Sequence, residues 1–145
     1  MNKPIYIYSL IIIISISNAS AQEFEPIDFL RLLSEVAHSN ERTQKLITLD
    51  YIEEILNRSE LNNIELESHL IYLIYNILEY LVFEGTVNIS TNENIQNNFP
   101  DVRLKAVILL GRLNIIEARN AIIEVLRCEN IPLIINEANK ILYKN

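Results

Sequence analysis

The side chains that could do chemistry in this sequence are few, and they do not converge on one reaction. Glu65 and His69 stand four residues apart, which places both on one face of a helix and offers two of the three or four ligands that zinc requires. The other histidine, His38, belongs to a different predicted helix and has no ligand pattern around it. We therefore interpret Glu65 and His69 as a surface pair and expect no metal site.

Two further arrangements fall short of an active site. Glu53 and Glu54 are adjacent, so they diverge by about 100° around a helix, a poor geometry for an acid–base pair of carboxylates. Cys128 is the only cysteine and has no dyad signature around it, so we expect a small buried hydrophobic residue. A reactive thiol or an intermolecular disulfide is the alternative. The sequence predicts neither catalytic residues nor a cofactor.

The stretch from Asn98 to Lys144 shows a different pattern, that of capped helices. Pro100 suits the first turn of a helix, because the amide proton that proline lacks would have no partner there. Asp101 then favours the positive end of the helix dipole, while Gly111 and Asn114 mark the helix end. We predict a second helix from about Glu117 to Cys128 and a third from Pro132 to Lys144.

The first of these helices is partly copied 32 residues downstream, an offset near the periods of helical repeat proteins. A turn, a proline and a set of core positions match together. The matching residues are Asn98, Phe99, Pro100, Val102, Ala106, Leu109 and Leu110 in the first copy and Asn130, Ile131, Pro132, Ile134, Ala138, Ile141 and Leu142 in the second.

This pattern resembles the HEAT-like repeat family in its short, PBS-lyase-type form, over about residues 98–144. The resemblance implies an α-solenoid whose curved face binds proteins, and it implies no reaction. Some relatives are lyases acting on tetrapyrrole-carrying proteins, but no residue set here corresponds to that activity. The signature residues are Pro100, Asp101, Val102, Arg103, Ala106, Leu110, Gly111, Pro132 and Ala138.

The second copy departs from the family pattern at three positions. Leu133 replaces Asp101, Ile135 replaces Arg103 and Tyr143 replaces Gly111. In the family the aspartate and the arginine join neighbouring repeats. We therefore expect this connection to be absent after the last helix.

Met1 to Ala21 has the features of a secretory signal peptide. Lys3 supplies the positive charge, Ile5 to Ile16 is mostly apolar, and Ala19-Ser20-Ala21 fits a cleavage site after Ala21. The apolar run is about 12 residues, whereas a bilayer span needs about 20. We predict a secreted or periplasmic protein without stable membrane insertion after cleavage, an uncleaved anchor being the alternative.

Half of the residues are hydrophobic and only two are glycines, which favours an all-α protein with short connections. We divide the chain into a signal peptide (1–21), an N-terminal segment of about three helices (22–85), an asparagine-rich loop (86–98) and a HEAT-like part with one full and one half repeat (99–145). The N-terminal helices are predicted at Glu25–Ser39, from Asn40 or Glu41 to Asn57 with Asn40 as the cap, and, after a polar turn at Arg58–Asn63, in a long helix that ends at Glu84 before Gly85.

Charge narrows the choice of partners. After removal of the leader, 11 basic side chains remain against 19 acidic ones, a balance that disfavours binding to nucleic acid.

Three tyrosines of the long helix, Tyr72, Tyr75 and Tyr80, have apolar neighbours, so we interpret them as core residues. If they were exposed, they would suit a protein interface.

The sequence therefore predicts an exported protein-binding module or scaffold without catalytic activity, its partner unidentified. The predicted partner surface includes Arg103, Arg119 and Arg127. The alternative is a terminal fragment of a longer repeat array, a structural envelope protein that self-associates as a homodimer through its C-terminal helix. An enzyme is a third hypothesis, which an activity dependent on His69 or Cys128 would support.

Overall fold

The computed structural model describes residues 26–84 and 99–143, and all regular secondary structure in these ranges is α-helical. The all-α class is thereby confirmed. The predicted leader (1–21), Gly85 and the asparagine-rich loop (86–98) lie outside the described residues. The helices are α1 (Pro26–Ala37), α2 (Arg42–Asn62), α3 (Ser68–Phe83), α4 (Pro100–Leu110), α5 (Ile116–Cys128) and α6 (Pro132–Tyr143).

Helix α2 is longer than predicted, because the polar stretch from Arg58 to Asn62 is helical rather than a turn. Arg58 pairs with Glu54 one turn earlier, at 2.7 Å, which supports the added turn. The helix ends at Asn63, whose φ of 49° is left-handed, and the Ile64 amide donates to the Ser59 carbonyl. This is the geometry of a left-handed helix stop, for which asparagine is suited. Residues 64–67 then separate α2 from α3.

Two predicted helix caps are wrong. The N-cap of α2 is Glu41 rather than Asn40, and no side-chain cap hydrogen bond forms there. Asn114 is not left-handed, since Asn63 is the only non-glycine residue with positive φ among those described. Helix α4 ends at Leu110, where backbone hydrogen bonds from Gly111 and Arg112 to the preceding turn satisfy the last carbonyls.

The six helices of the described ranges contact one another in two rows. Helix α2 packs on α4 and α4 packs on α6, while α1 packs on α3 and α3 packs on α5. Contacts between helices adjacent in the sequence, most extensively α3 with α4, join the two rows. Among the described helices, α1 does not reach α4, and α3 does not reach α6. Each helix therefore packs only on near neighbours along the chain.

Ion pairs along α2 and α4 show that these two helices run parallel. Arg42, the first residue of α2, pairs with Asp101 at the start of α4. Lys105, one turn further along α4, contacts Asp50 at 2.5 Å and Glu53 at 2.7 Å. Just after α4, Arg112 contacts Glu60 near the end of α2, at 2.9 Å. Since the partners advance together along both helices, α2 and α4 have the same direction.

One continuous apolar core lies between the rows. Helix α3 buries Ile74, Ile77, Leu78, Leu81 and Val82, and α4 is buried on most of its circumference. A helix that is apolar around most of its girth requires neighbours on several sides. The other buried positions come from every helix: Leu30, Leu33 and Ala37; Leu49, Ile52 and Leu56; Ala118, Ala121, Ile122 and Val125; Ile134 and Ala138.

Lys45 is a buried cation at the junction of α1, α2 and α3. Its side chain is 0% exposed, and its Nζ donates to the carbonyl of Ala37, the last residue of α1, at 2.7 Å. The same ammonium pairs with Glu84, just after α3, at 2.6 Å. The Tyr80 ring lies beneath it at 5.4 Å, and the Tyr80 hydroxyl donates to Glu84. Lys45 therefore joins the ends of two helices to the first turn of a third.

We expect Lys45→Met to lower the free energy of unfolding by about 3 kcal/mol, because it leaves the Glu84 carboxylate and the Ala37 carbonyl without their shared donor. Lys140→Met is the matched control. Lys140 pairs with Glu137 but is 71% exposed, so its loss should cost less than about 1 kcal/mol. Urea denaturation followed by circular dichroism measures both. Equal losses in the two variants would contradict the structural role of Lys45.

Candidate binding surface

The two copies of the sequence repeat occupy equivalent positions in α4 and α6. Pro100 and Pro132 are the first residues of these helices. Val102 and its counterpart Ile134 are each 1% exposed, and Ala106 and Ala138 are each 0% exposed. Leu110 is buried as well. Val102, Ala106, Leu110 and Ala138 therefore form the interior of the row and are not accessible to a partner, whereas Pro100 and Pro132 are exposed.

Asp101 connects α4 to the preceding helix in its row. Its carboxylate accepts hydrogen bonds from the Arg42 guanidinium at the start of α2. The hydrogen bond from Arg42 lowers the pKa of Asp101 below its ordinary value, and the backbone amides of Asp101 and Val102 act in the same direction. Both side chains are about half exposed, so the pair is accessible to solvent.

Arg103 connects α4 to the segment before α6. Arg103 and Glu129 form an ion pair in which each side chain is 3% exposed, with 3.2 Å between Nε and Oε2. Oε1 of Glu129 also accepts the backbone amides of Asn130 and Ile131, which lead into α6. The prediction of Arg103 as a partner-binding residue is therefore wrong. Its carboxylate partner lies 26 residues away in the sequence, beyond the range of a helix-face pattern.

Gly111 permits close packing between α4 and α6. Its φ of −63° is available to any residue, so backbone freedom does not explain the glycine. A Cβ atom at this position would instead lie 2.7 Å from Cγ2 of Ile141 in α6. The glycine of the repeat signature thus provides space for a side chain of the next helix in the row.

The two remaining arginines of the predicted partner surface lie on α5 and are both exposed. Arg127 pairs with Glu124 on the same helix, at 2.9 Å. Arg119 has no carboxylate partner in the part of the chain that the structure describes. Of the ten lysines and arginines in ranges 26–84 and 99–143, it is the only one without such a pair. Arg119 is therefore the cation of the described chain most available to an external anion.

Arg119 lies at a cleft between the end of α4, the start of α5 and the end of α6. The cleft has a volume of about 310 Å³, and six of the nine residues that line it are aliphatic. Ile116, in the first turn of α5, is 63% exposed. The lining residues are Gly111, Leu113, Asn114, Ile115, Ile116, Arg119, Ile122, Ile141 and Leu142.

The histidines and acidic residues considered for chemistry are dispersed. Glu65 lies in the segment before α3, so the prediction that it shares a helix face with His69 is wrong; His69 contacts Glu67 instead, at 3.3 Å. His38 stacks on Tyr80 with 3.9 Å between ring centroids. Within the described ranges, no group of three or more histidine, cysteine, aspartate or glutamate side chains could bind a metal.

Cys128 is exposed, in contrast to its predicted burial. It is the last residue of α5, and its pKa is raised by partial burial of the sulfur and by the nearby carboxylates of Glu124 and Glu129. A raised pKa lowers the thiolate fraction, and the thiolate is the reactive form of cysteine. This environment disfavours a nucleophilic role.

The three tyrosines of α3 divide between surface and core edge. Tyr72 is 44% exposed and donates to Glu117 on α5, at 3.1 Å. Tyr75 and Tyr80 are half-buried and donate to Glu79 and Glu84 one turn further on. Burial is the largest cause that raises the pKa of both phenols, and these carboxylates raise it further. The prediction of three core tyrosines is therefore wrong for Tyr72, which links α3 to α5.

Comparisons with protein-family models, curated proteins and solved structures give no match to this chain. In the described ranges, no helix has the combined length and apolar character that crossing a bilayer demands. Function must therefore be inferred from the packing of the helices and from the charges that remain exposed.

We expect Gly111→Ala to destabilise the protein by about 1 kcal/mol. Overpacking against Ile141 costs about 1–3 kcal/mol, and replacing a glycine that has ordinary backbone angles stabilises the protein by a smaller amount. In an Ile141→Ala background the obstructing atoms are gone. The same Gly111→Ala change should then be neutral or stabilising. Urea denaturation of the four proteins gives the coupling, and a cost unchanged by Ile141→Ala would contradict this role for the glycine.

Acid should selectively weaken the contribution of the Asp101–Arg42 pair. Because the folded-state pKa of Asp101 is lowered, the pair stabilises the protein above the ordinary value of 3.8, and this stability is lost as pH falls through the folded-state pKa. Asp101→Asn should therefore lower the urea midpoint slightly at pH 7 and much less at about pH 2.5. Asp28→Asn, whose carboxylate is 3.8 Å from Arg31, is the control. A deficit that persists undiminished in acid would contradict this assignment.

Proposed function

We propose that the protein is a small exported α-solenoid of HEAT-like helical hairpins that binds another protein and has no catalytic activity. The observation that carries the proposal is the two-row packing, with α2 and α4 parallel and each helix in contact only with near neighbours. Contacts restricted to neighbouring units are the defining property of repeat proteins, whose extended surfaces bind partners.

The connections made by the signature residues support this proposal. Asp101 reaches back to α2, and Arg103 reaches forward to the segment before α6, so α4 is joined on both sides within its row. The apolar residues Leu133 and Ile135 replace these two side chains in α6 and can form no ion pair. This is the departure from the family pattern that the sequence showed.

The distribution of charge favours α5 as the partner-binding side. On the row of α2, α4 and α6, Lys105 and Arg112 are already bound to carboxylates of α2. A partner on that side would have to break these contacts. On α5, Arg119 has no carboxylate partner among the described residues, and Arg127 is 71% exposed. Of the predicted partner surface, we therefore retain the two arginines of α5.

Affinity capture from an envelope extract of the source organism tests the proposal, with tagged protein as the bait. We expect one protein in near-stoichiometric amount with the wild-type bait, and loss of most of it with the double variant Arg119→Glu and Arg127→Glu. The matched control is Arg31→Glu with Arg58→Glu, which reverses two exposed arginines in α1 and α2 and should retain the partner. Absence of any protein above the background of the tag alone would overturn the proposed function.

Self-association through α6 is the second candidate, and two exposed side chains favour it. Leu133 is 62% exposed and Tyr143 is 75% exposed. A terminal repeat normally has a polar outer face. Light scattering on the same bait preparation separates the candidates, because a structural protein of this kind is a dimer, whereas a binding module is a monomer before it meets its partner.

A further inference from the structure

Exposed apolar side chains concentrate at one end of the helix rows. The pair between Glu60 and Arg112 places the α2–α3 connection beside the α4–α5 connection, and the cleft places the end of α6 there as well. Near these connections Leu61 is 81% exposed, Ile64 is 59% exposed and Ile116 is 63% exposed. Burying an aliphatic side chain of this size is worth about 1.5–3 kcal/mol, so leaving several exposed on one edge indicates a surface that a partner covers.

The cleft next to Ile116 has the dimensions of a side-chain pocket. Its volume of about 310 Å³ is at the lower limit for ligand pockets and suits one or two aliphatic side chains. Leu113 and Ile122 are buried beneath it, and Ile141 and Leu142 of α6 form a further wall. The aliphatic residues of this lining therefore favour an occupant that carries an apolar group.

Arg119 adds a positive charge to the apolar cleft. Because the other nine lysines and arginines of ranges 26–84 and 99–143 already pair with carboxylates, this guanidinium is the one described cation left for an external anion. Arginine binds a carboxylate through two parallel hydrogen bonds. At physiological ionic strength, charges more than about 8 Å away are largely screened, so the local guanidinium outweighs the excess of acidic side chains over the chain as a whole.

We propose that this cleft binds a short segment of the partner protein in which a glutamate or aspartate adjoins aliphatic side chains. The aliphatic group occupies the cleft against Ile116 and Ile141, and the carboxylate pairs with Arg119. This inference rests on the proposed function, to which it adds the position and the chemistry of the partner segment. Charge complementarity selects an acidic segment, and the aliphatic lining residues favour one that also carries apolar side chains.

Three end-capped peptides serve as probes in NMR titrations of isotopically labelled protein. The first is acetyl-Ser-Leu-Glu-Leu-Leu-Ser-amide, the second has glutamine in place of glutamate, and the third has serine in place of every leucine. We expect the first to shift the amide signals of Gly111, Ile116, Arg119 and Ile141. The glutamine peptide should bind about two- to fivefold more weakly, as befits an exposed ion pair, and the serine peptide should produce no shift at the same concentration.

Two variants on α5 test the role of Arg119. Arg119→Gln should abolish the preference for glutamate over glutamine, whereas Arg127→Gln, which removes a charge from the same helix, should retain it. Equal binding of both leucine peptides to the wild type, shifts confined to other residues, or no shift at millimolar peptide would overturn the proposal. Shifts at the same residues on raising the protein concentration without peptide would also overturn it, because a second copy would then occupy the cleft.

The two proposals can fail separately. Capture of a partner that does not compete with the first peptide would overturn the cleft assignment and leave the protein-binding function standing. Absence of any partner in the capture experiment would instead remove the function on which the cleft proposal rests.

Discussion

The fold depends on burying α4 on most of its circumference. This helix has eleven residues and contacts α2, α3, α5 and α6. Its apolar side chains are distributed around the helix rather than along one stripe, so a single neighbour could not cover them. Covering α4 requires two rows of helices. Helices α2 and α6 flank it in its own row, and α3 and α5 lie in the opposite row. The arrangement of the other helices follows from this requirement.

Polar contacts then select one register among the packings that would bury α4. An exposed ion pair contributes about 1 kcal/mol or less, whereas each buried leucine or isoleucine contributes about 1.5–3 kcal/mol. The pairs of Asp101 and Lys105 with α2 therefore add little stability. A shift of α4 by one turn along α2 would nevertheless separate both pairs at once. The buried pair of Arg103 and Glu129 has the stronger effect, because separating two charges that are only 3% exposed costs about 3–5 kcal/mol.

The sequence predicted the features that depend on local periodicity. The helices of the repeat and the burial of Ala106 and Ala138 follow from helical spacing and from the offset of 32 residues. It did not predict the burial of Arg103 or the reason for Gly111, because both depend on side chains about 26 to 30 residues away that only the folded chain brings near. The sequence likewise did not predict that Arg119 is unpaired. This is known only when the carboxylate partner of every other described lysine and arginine has been identified.

The same pairing supports the proposal of a binding site at the helix ends rather than along the row of α2 and α4. Lys105 contacts two carboxylates of α2, and Arg112 contacts Glu60 and Asn57. A partner binding over these side chains would have to replace contacts that already fix the register, with little net gain. At the cleft, burying the exposed face of Ile116 gains free energy, and an anion beside Arg119 breaks no existing ion pair. The stability of the row therefore supports the proposal that a partner binds at the edge where Arg119 and Ile116 remain exposed.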